Sequence, residues 1–470
     1  MAVTGSLPVA IIGAGPVGLA AAAHLLERGL EPVIFEAGAA PADAIRQWRH
    51  IRLFSPWQYN TDPAAVRLLD AAGWEAPKPS GLPTGGDLID RYLEPLAALP
   101  AIAGRLHAGA RVTAVTREGL DKTHSRNRAG TPFLLRIEES GGGTREVRAA
   151  AVIDASGTWS TRNPLGTSGL PARGEPAATA RISPPLPDVR GRDRETFAGR
   201  TAVVVGSGHS AANTLIHLAD LAAQEPGTRI LWAIRGASAA KVYGGGDADG
   251  LAARGLLGSR LRGLVQDGTV QLHTRFGIAA VSLNGTQVTL TATDGRTLSA
   301  DVVVPATGFR PDLDVLRELR LDLDPGVEAP RQLAPLIDPE FHSCGTVEPH
   351  GARMLAHPEE DFYIVGMKSY GRAPTFLLAT GYEQVRSVAA ALAGDREAAD
   401  TVHLELPETG VCSTDIGSSC DAPALADAPA TAGTSAPAGA GGGCCTAPEP
   451  VLLGFPTGLL HGRGGEADAG

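Results

Sequence analysis

The chain is short of cysteine, lysine and positive charge, and each shortage removes a class of function. None of its five Cys lies in the first 343 residues: they are Cys344, Cys412, Cys420, Cys444 and Cys445. That excludes a secreted framework stapled by disulfides, and no Cys-x-x-Cys redox pair occurs anywhere in the chain. The compartment this predicts is a reducing cytoplasm. Only four of the 41 basic residues are Lys (Lys78, Lys122, Lys241 and Lys368), so lysine chemistry has few candidates. The formal net charge of −10 argues against a nucleic-acid partner, which would need a basic face. A membrane span is not expected either. The most apolar run, Leu7 to Leu26, is broken by Gly13, Gly15, Pro16 and Gly18 and has no basic segment before it.

Glycine and proline, by contrast, are abundant: 59 and 35 of 470 residues, a fifth of the chain, with no Gly-X-Y period. The length is enough for two sizeable cores. Residues 164–195 hold six Pro and read as a connector. Two thirds of residues 421–450 are Ala, Gly or Pro, a composition that buries too little apolar surface to offset its ordering entropy, which predicts a largely disordered tail.

Between these segments the periodicity predicts a βαβ start. Val9–Ile12 reads as a strand, an Ala-rich helix runs to about Arg28, and Pro32–Glu36 reads as a second strand. One helix is predicted over Gly86–Leu99 and another over Thr375–Ala393. Further strands are predicted at Arg111–Thr116, Phe133–Ile137 and Ala151–Asp154. The opening pattern then repeats, with a strand at Thr201–Val205, a Gly turn, a helix over Ala212–Ala223 and a strand at Arg229–Arg235. Strands follow at 270–273, 279–283 and 287–292, then at Asp301–Pro305 and Asp361–Val365.

Each Gly turn has a chemistry. In Gly13-Ala14-Gly15-Pro16-Val17-Gly18, Gly13 permits the tight turn, Gly15 lets a diphosphate approach the backbone, and Gly18 lets the helix pack close to the strand. The helix N-terminus offers free N–H groups to the anion. Glu36, ending the second strand, suits the ribose hydroxyls of an unphosphorylated adenosine, so FAD or NAD fits there. The second turn, Gly206-Ser207-Gly208-His209-Ser210-Ala211, is matched by a strand ending in Arg235 rather than an acid. A guanidinium there can pair with a 2′-phosphate, which favours NADPH; the alternative is a solvated loop arginine. Each βαβ start is also followed by a buried strand ending in a small-residue turn, Asp154-Ala155-Ser156-Gly157 and Pro305-Ala306-Thr307-Gly308.

This order resembles the two-dinucleotide-binding-domain flavoproteins. The resemblance implies an α/β fold of two Rossmann-like domains, with a discontinuous FAD domain (1–165 and 311–406), an inserted NADPH domain (166–310) and a tail (407–470). It implies FAD contacts from Trp48, Val112, Ser156, Gly157, Gly366, Thr375 and Phe376, and NADPH contacts from Thr307 and Gly308. The disulfide reductases of that group need a Cys pair beside the flavin and usually carry Gly-Asp where this chain has Gly366-Met367. Trp48, Leu53-Phe54-Ser55-Pro56, Gly157-Thr158-Trp159-Ser160, Phe197-Ala198-Gly199-Arg200 and Ala306-Thr307-Gly308-Phe309 are similar to the class B flavin monooxygenases. That family's fingerprint has a His soon after its Gly, whereas Gly199 is followed by Arg200-Thr201-Ala202-Val203. A closer resemblance, in Gly191-Arg192-Asp193-Arg194, Ser343-Cys344-Gly345-Thr346-Val347 and Gly366 to Phe376, is to the flavin-binding monooxygenases of bacterial arsenic-resistance clusters. It implies an NADPH-consuming FAD enzyme that uses dioxygen, through a flavin hydroperoxide, to oxidise a soft small molecule.

The cysteines leave alternatives open. Trivalent arsenic is thiophilic, so Cys412 and the later Cys could deliver thiols to a flavin or bind a metalloid, or could be neutral passengers. Cys344 with His350 could act near the flavin, or Cys344 could simply pack. No Cys or His spacing supports a metal site. An NADPH-dependent reductase with tail thiols as a shuttle, and a metalloid-binding protein with a structural flavin, are the competing readings.

Overall fold

A computed structural model describes residues 7–244, 252–338, 347–373 and 376–404. The expectations for the tail, for Thr375 and for all five Cys, including Cys344 and Cys412, lie outside the described residues.

The first strand, β1 (Val9–Ile12), is buried throughout, as four apolar residues with no polar alternation require of a strand covered on both faces. Helix α1 (Pro16–Glu27) starts with Pro at its first position, where the missing N–H costs nothing. After β2 (Pro32–Glu36) and β3 (Leu106–Ala108) come three strands with partly alternating burial: β4 (Ala110–Arg117), β5 (Phe133–Glu139) and β6 (Thr144–Ala149). The buried strand β7 (Ala151–Asp154) precedes the connector. The second unit comprises β8 (Thr201–Val205), α2 (His209–Ala222), β9 (Arg229–Ala233), α3 (Ala252–Gln266) and β10 (Val270–His273). It continues with β11 (Ile278–Asn284), β12 (Gln287–Ala292), β13 (Thr297–Ala300) and β14 (Val302–Pro305). The chain then returns through β15 (Phe362–Ile364) and α4 (Leu378–Leu392).

Two parallel sheets result. The first has strand order β15-β7-β1-β2-β3 and the second β10-β9-β8-β14. Each is accompanied by a three-stranded antiparallel sheet, β4-β5-β6 and β11-β12-β13 respectively. The last strand, β15, pairs in parallel with β7, so the C-terminal segment completes the first sheet and the second nucleotide fold is inserted within it. This is the α/β architecture the sequence predicts.

Local corrections have physical causes. The helix predicted over Gly86–Leu99 is interrupted by a π turn at Ile89–Leu93. Pro95 has no N–H to donate to the Arg91 carbonyl, and that oxygen instead accepts the Trp74 indole N–H at 2.8 Å. Helix α2 begins at His209, three residues before the predicted start, because the Gly turn feeds directly into it. Helix α4 begins at Leu378 rather than Thr375. Strands β3, β6 and β13 and helix α3 were not predicted; β6 and β13 carry a polar residue at nearly every second position and little apolar signal.

One buried charge cluster ties β4 to the returning segment. Glu359, 2% exposed, accepts from Arg117 Nε (2.8 Å), Arg128 NH2 (2.8 Å) and the Arg320 N–H (3.0 Å). Burial pushes its carboxyl pKa up, but the hydrogen bonds from Arg128 and Arg117 outweigh it and hold the group below the usual glutamate value. A depressed carboxylate stabilises the fold at neutral pH, and that contribution is lost as pH falls below about 4.3, the unfolded value, through the folded one. Replacing Glu359 by Ala leaves two buried guanidinium groups unpaired and should cost about 3–5 kcal/mol. Urea unfolding at pH 7 measures this, and the gap from the wild type should narrow as the pH is lowered past 4.

Candidate functional site

The turn after β1 has the shape that the sequence requires. Gly13 has φ +97°, and a Cβ there would lie 2.8 Å from the Ala155 carbonyl oxygen. A Cβ on Gly18 would lie 2.0 Å from the Gly13 oxygen, so helix and turn are in contact. At Gly15 a Cβ would meet nothing within 4 Å. This is open space above the N-terminus of α1, where Gly15 is the cap residue and no side chain caps the helix. The site therefore presents unpaired N–H groups and room for a diphosphate. At the end of β2, Glu36 accepts from the Ala14 N–H (2.8 Å) and the Gly38 N–H (2.7 Å), which fixes its carboxylate beside the cradle.

Glu36 ends β2, on one side of β1, and β7 and β15 lie on the other. There Ser156 and Gly157 follow β7 and Gly366 follows β15. Gly366 has φ +67°, and a Cβ on it would lie 3.3 Å from Val17 in the first turn of α1. Phe376 sits beside the start of α4, against Tyr370 (ring centroids 5.1 Å apart) and against Gly381. Trp48 is half-buried against Gly85, and Val112 lies at a bulge of β4 in the antiparallel sheet.

The second cradle repeats the first. Gly206 has φ +131°, and a Cβ on it would lie 2.0 Å from the Ala306 oxygen, whereas one on Gly208, the cap of α2, would meet nothing. Ser207 and Gly208 are exposed, and His209 and Ser210 begin the helix. Arg235 is exposed beyond β9; its one hydrogen bond among the described residues is to the Thr167 carbonyl at 3.4 Å, and no carboxylate pairs with it. Strand β9 lies on one side of β8, and β14, which Thr307 and Gly308 follow, lies on the other.

The segments that follow β7 and β14 meet at a crossover. Residues 161–163 pair with 307–310: the Asn163 N–H donates to the Gly308 oxygen (2.9 Å), Thr307 Oγ1 donates to the Asn163 oxygen (2.7 Å), and Arg162 bridges to Phe309. Trp159 and Phe309 face each other with ring centroids 4.7 Å apart. Helix α2 also meets the first fold through Phe54–His209 (5.1 Å) and His50–His217 (6.2 Å).

Sequence reasoning missed the buried polar groups beneath the first cradle. Lys368 Nζ donates to Asp154 Oδ2 (2.7 Å) and Ser156 Oγ (3.1 Å), while Asp154 Oδ1 accepts from Ser156 Oγ (2.6 Å). Lysine and aspartate are 1% and 0% exposed. The available signal was a lysine, rare in this chain, in the apolar stretch after β15. His350, which sequence reasoning treats as a catalytic candidate, is 2% exposed with both ring nitrogens hydrogen-bonded. No group of His, Cys, Asp and Glu among the described residues could hold a metal ion.

A model of pyridine nucleotide-disulphide oxidoreductases matches residues 7–332. The chain belongs to this family. Its cofactors are accordingly FAD and NADPH, and it is an FAD-dependent oxidoreductase, consistent with two open cradles of this form. Among curated proteins none matches. Similar solved structures include a bacillithiol disulfide reductase (YpdA) from Bacillus cereus, 20% identical, with TM-score 0.61, covering 83% of this chain and 99% of that one. The cadaverine monooxygenase DfoA of Erwinia amylovora is 15% identical, with TM-score 0.59, over 88% of this chain and all of its own. A thioredoxin reductase of T. acidophilum is 14% identical, with TM-score 0.53, over 83% and 98%. Reductases and monooxygenases thus share this member's fold. None of its described helices is long and apolar enough to cross a membrane.

The two glycines of the first cradle should separate by experiment. Gly15 has an ordinary φ of −77°, so Gly15→Val should leave the melting temperature of the apoprotein nearly unchanged while FAD binding is lost. Gly18→Ala drives a methyl into the Gly13 carbonyl and should cost about 1–3 kcal/mol of stability even without FAD. Thermal melts of apoprotein, paired with FAD titration, measure both.

Proposed function

We propose that the chain is an NADPH-consuming FAD monooxygenase that inserts one atom of dioxygen into a soft small molecule, a trivalent arsenical or a thiol. The observation that supports this reading is the pairing of residues 161–163 with 307–310, between the segments that follow β7 and β14, in a protein whose first 343 residues contain no thiol. No cysteine pair from that part of the chain stands between the flavin and other electron acceptors, so dioxygen can take the electrons. When bound, FAD supplies the two-electron and oxygen chemistry.

The chain supplies binding, orientation and a dry site. The N-terminus of α1, at Gly15 and Pro16, takes the FAD diphosphate, and Glu36 takes the adenosine ribose. Trp48, Val112, Ser156, Gly157, Gly366 and Phe376 line the rest of FAD. Gly206 to Ser210 take the NADPH diphosphate, Arg235 its 2′-phosphate, and Thr307 and Gly308 steer the nicotinamide towards the flavin. Trp159 and Phe309 shield the meeting point from water. Cys344 would present a thiolate that suits a thiophilic substrate.

A second reading is favoured by one feature: every Cys follows residue 343, and Cys444 and Cys445 are adjacent. It is a reductase in which the tail thiols carry electrons from the flavin to a metalloid or a disulfide. Changing Cys412, Cys420, Cys444 and Cys445 to Ser should leave turnover unaffected under the monooxygenase reading and abolish it under the shuttle reading.

Two measurements test the proposal. NADPH should bleach the flavin without oxygen, and oxygen admitted with a trivalent arsenical or thiol should be consumed in step with product. Peroxide formation with every such substrate would overturn the monooxygenase assignment. Arg235→Ala should raise KM for NADPH by about tenfold or more, the scale of a charge-assisted hydrogen bond, and change KM for NADH by less than twofold.

A further inference from the structure

The turn at Gly366–Tyr370 lies at the flavin half of FAD under the function proposed above, on which this inference rests, and its backbone is held by a buried chain of hydrogen bonds that starts at His350. Every proton in that chain is fixed by its partner. His350 Nδ1 lies 3.0 Å from the Glu348 carbonyl, which can only accept, so Nδ1 carries the proton. The Gly366 N–H donates to Gln384 Oε1 (2.7 Å), so the Gln384 amide nitrogen faces the other way. That nitrogen donates one proton to His350 Nε2 (2.8 Å) and the other to Ser369 Oγ (2.9 Å). Ser369 Oγ in turn donates to the Gly366 carbonyl (2.7 Å). The amide and carbonyl of Gly366, at the carboxyl end of β15, are thus both set by Gln384 and Ser369, and Gln384 is oriented by a neutral imidazole.

We propose that His350 is a positioning residue for FAD: acting through Gln384, it holds the Gly366 turn in the conformation that seats the flavin half, and a proton on Nε2 releases that turn. It does not touch the cofactor, since it is 2% exposed with no ligand present. A protonated Nε2 would point a donor at a donor. Gln384 would then have to flip, which leaves the Gly366 N–H facing a second N–H group.

The surroundings compensate the imidazolium only weakly. Glu383, on the same helix as Gln384, is engaged by Arg386 (2.7 Å), and Lys368, in the turn, by Asp154 (2.7 Å). The Tyr370 ring, 5.8 Å away, is a phenol whose burial keeps it neutral. Burial likewise holds the imidazole below its usual value, against smaller opposing effects from the Glu348 carbonyl and Glu383. The sign follows: the folded turn keeps the imidazole neutral below its unperturbed value of about 6.5, so the hold on the turn weakens as pH falls from that value through the lower one of the folded protein.

The test uses holoprotein and reads FAD release by flavin fluorescence after dilution. Wild type should release FAD about tenfold faster at pH 5.5 than at pH 7.5, the scale of one buried hydrogen bond lost. In His350→Gln, whose side-chain oxygen can accept from Gln384 but does not titrate, the rate should match wild type at pH 7.5 and stay flat. In His350→Leu it should be fast at both pH values. If His350→Leu does not fold, the His350→Gln profile decides alone. An equal pH dependence in wild type and His350→Gln would overturn the proposal, as would slow release from His350→Leu. Flavin content of the purified wild type reports FAD binding separately.

Discussion

A Cβ on Gly13 would lie 2.8 Å from the Ala155 carbonyl, and one on Gly206 would lie 2.0 Å from that of Ala306. In each nucleotide fold, the turn leaving the first strand rests on backbone that leaves a neighbouring parallel strand, and no side chain fits between. This contact brings the ends of β1 and β7, and of β8 and β14, together. It leaves Gly15 and Gly208 facing open space at the start of a helix that no side chain caps. Both open cradles depend on that close approach.

The same geometry explains what could be read in the sequence. Gly13, Gly15 and Gly18 carried their roles in their spacing, because a turn without side chains needs glycine at fixed offsets. The buried strands β1, β7, β8 and β14 were continuous apolar runs and were legible for that reason. Edge and antiparallel strands were not: Thr144–Ala149 and Thr297–Ala300 have exposed faces and weak patterns. The π turn at Ile89–Leu93 was hidden because apolar spacing on either side of Pro95 still fits a helix.

Buried polar partners were the least legible. The pairing of Lys368 with Asp154 joins residues 214 apart in sequence, and that of His350 with Gln384 joins residues 34 apart. No local pattern announces either. His350 looked like a reactive histidine because only its identity was visible; its two satisfied nitrogens became apparent only with the fold. Such pairs add little net stability over apolar residues of the same size, but they admit few alternative arrangements, so they fix a turn more sharply than packing alone would.

Both joints between the host fold and its insert lie at the carboxyl ends of parallel strands, after β7 and after β14. Joints at the opposite edge would have put the thickness of a sheet between the two cofactors. Under the proposed function that seam lies on the ligand-bearing edge, so the inserted fold would behave as a graft: any nucleotide fold joined through the same two peptides would inherit a delivery point facing the flavin. Its cofactor preference would be set elsewhere, at Arg235 beyond β9.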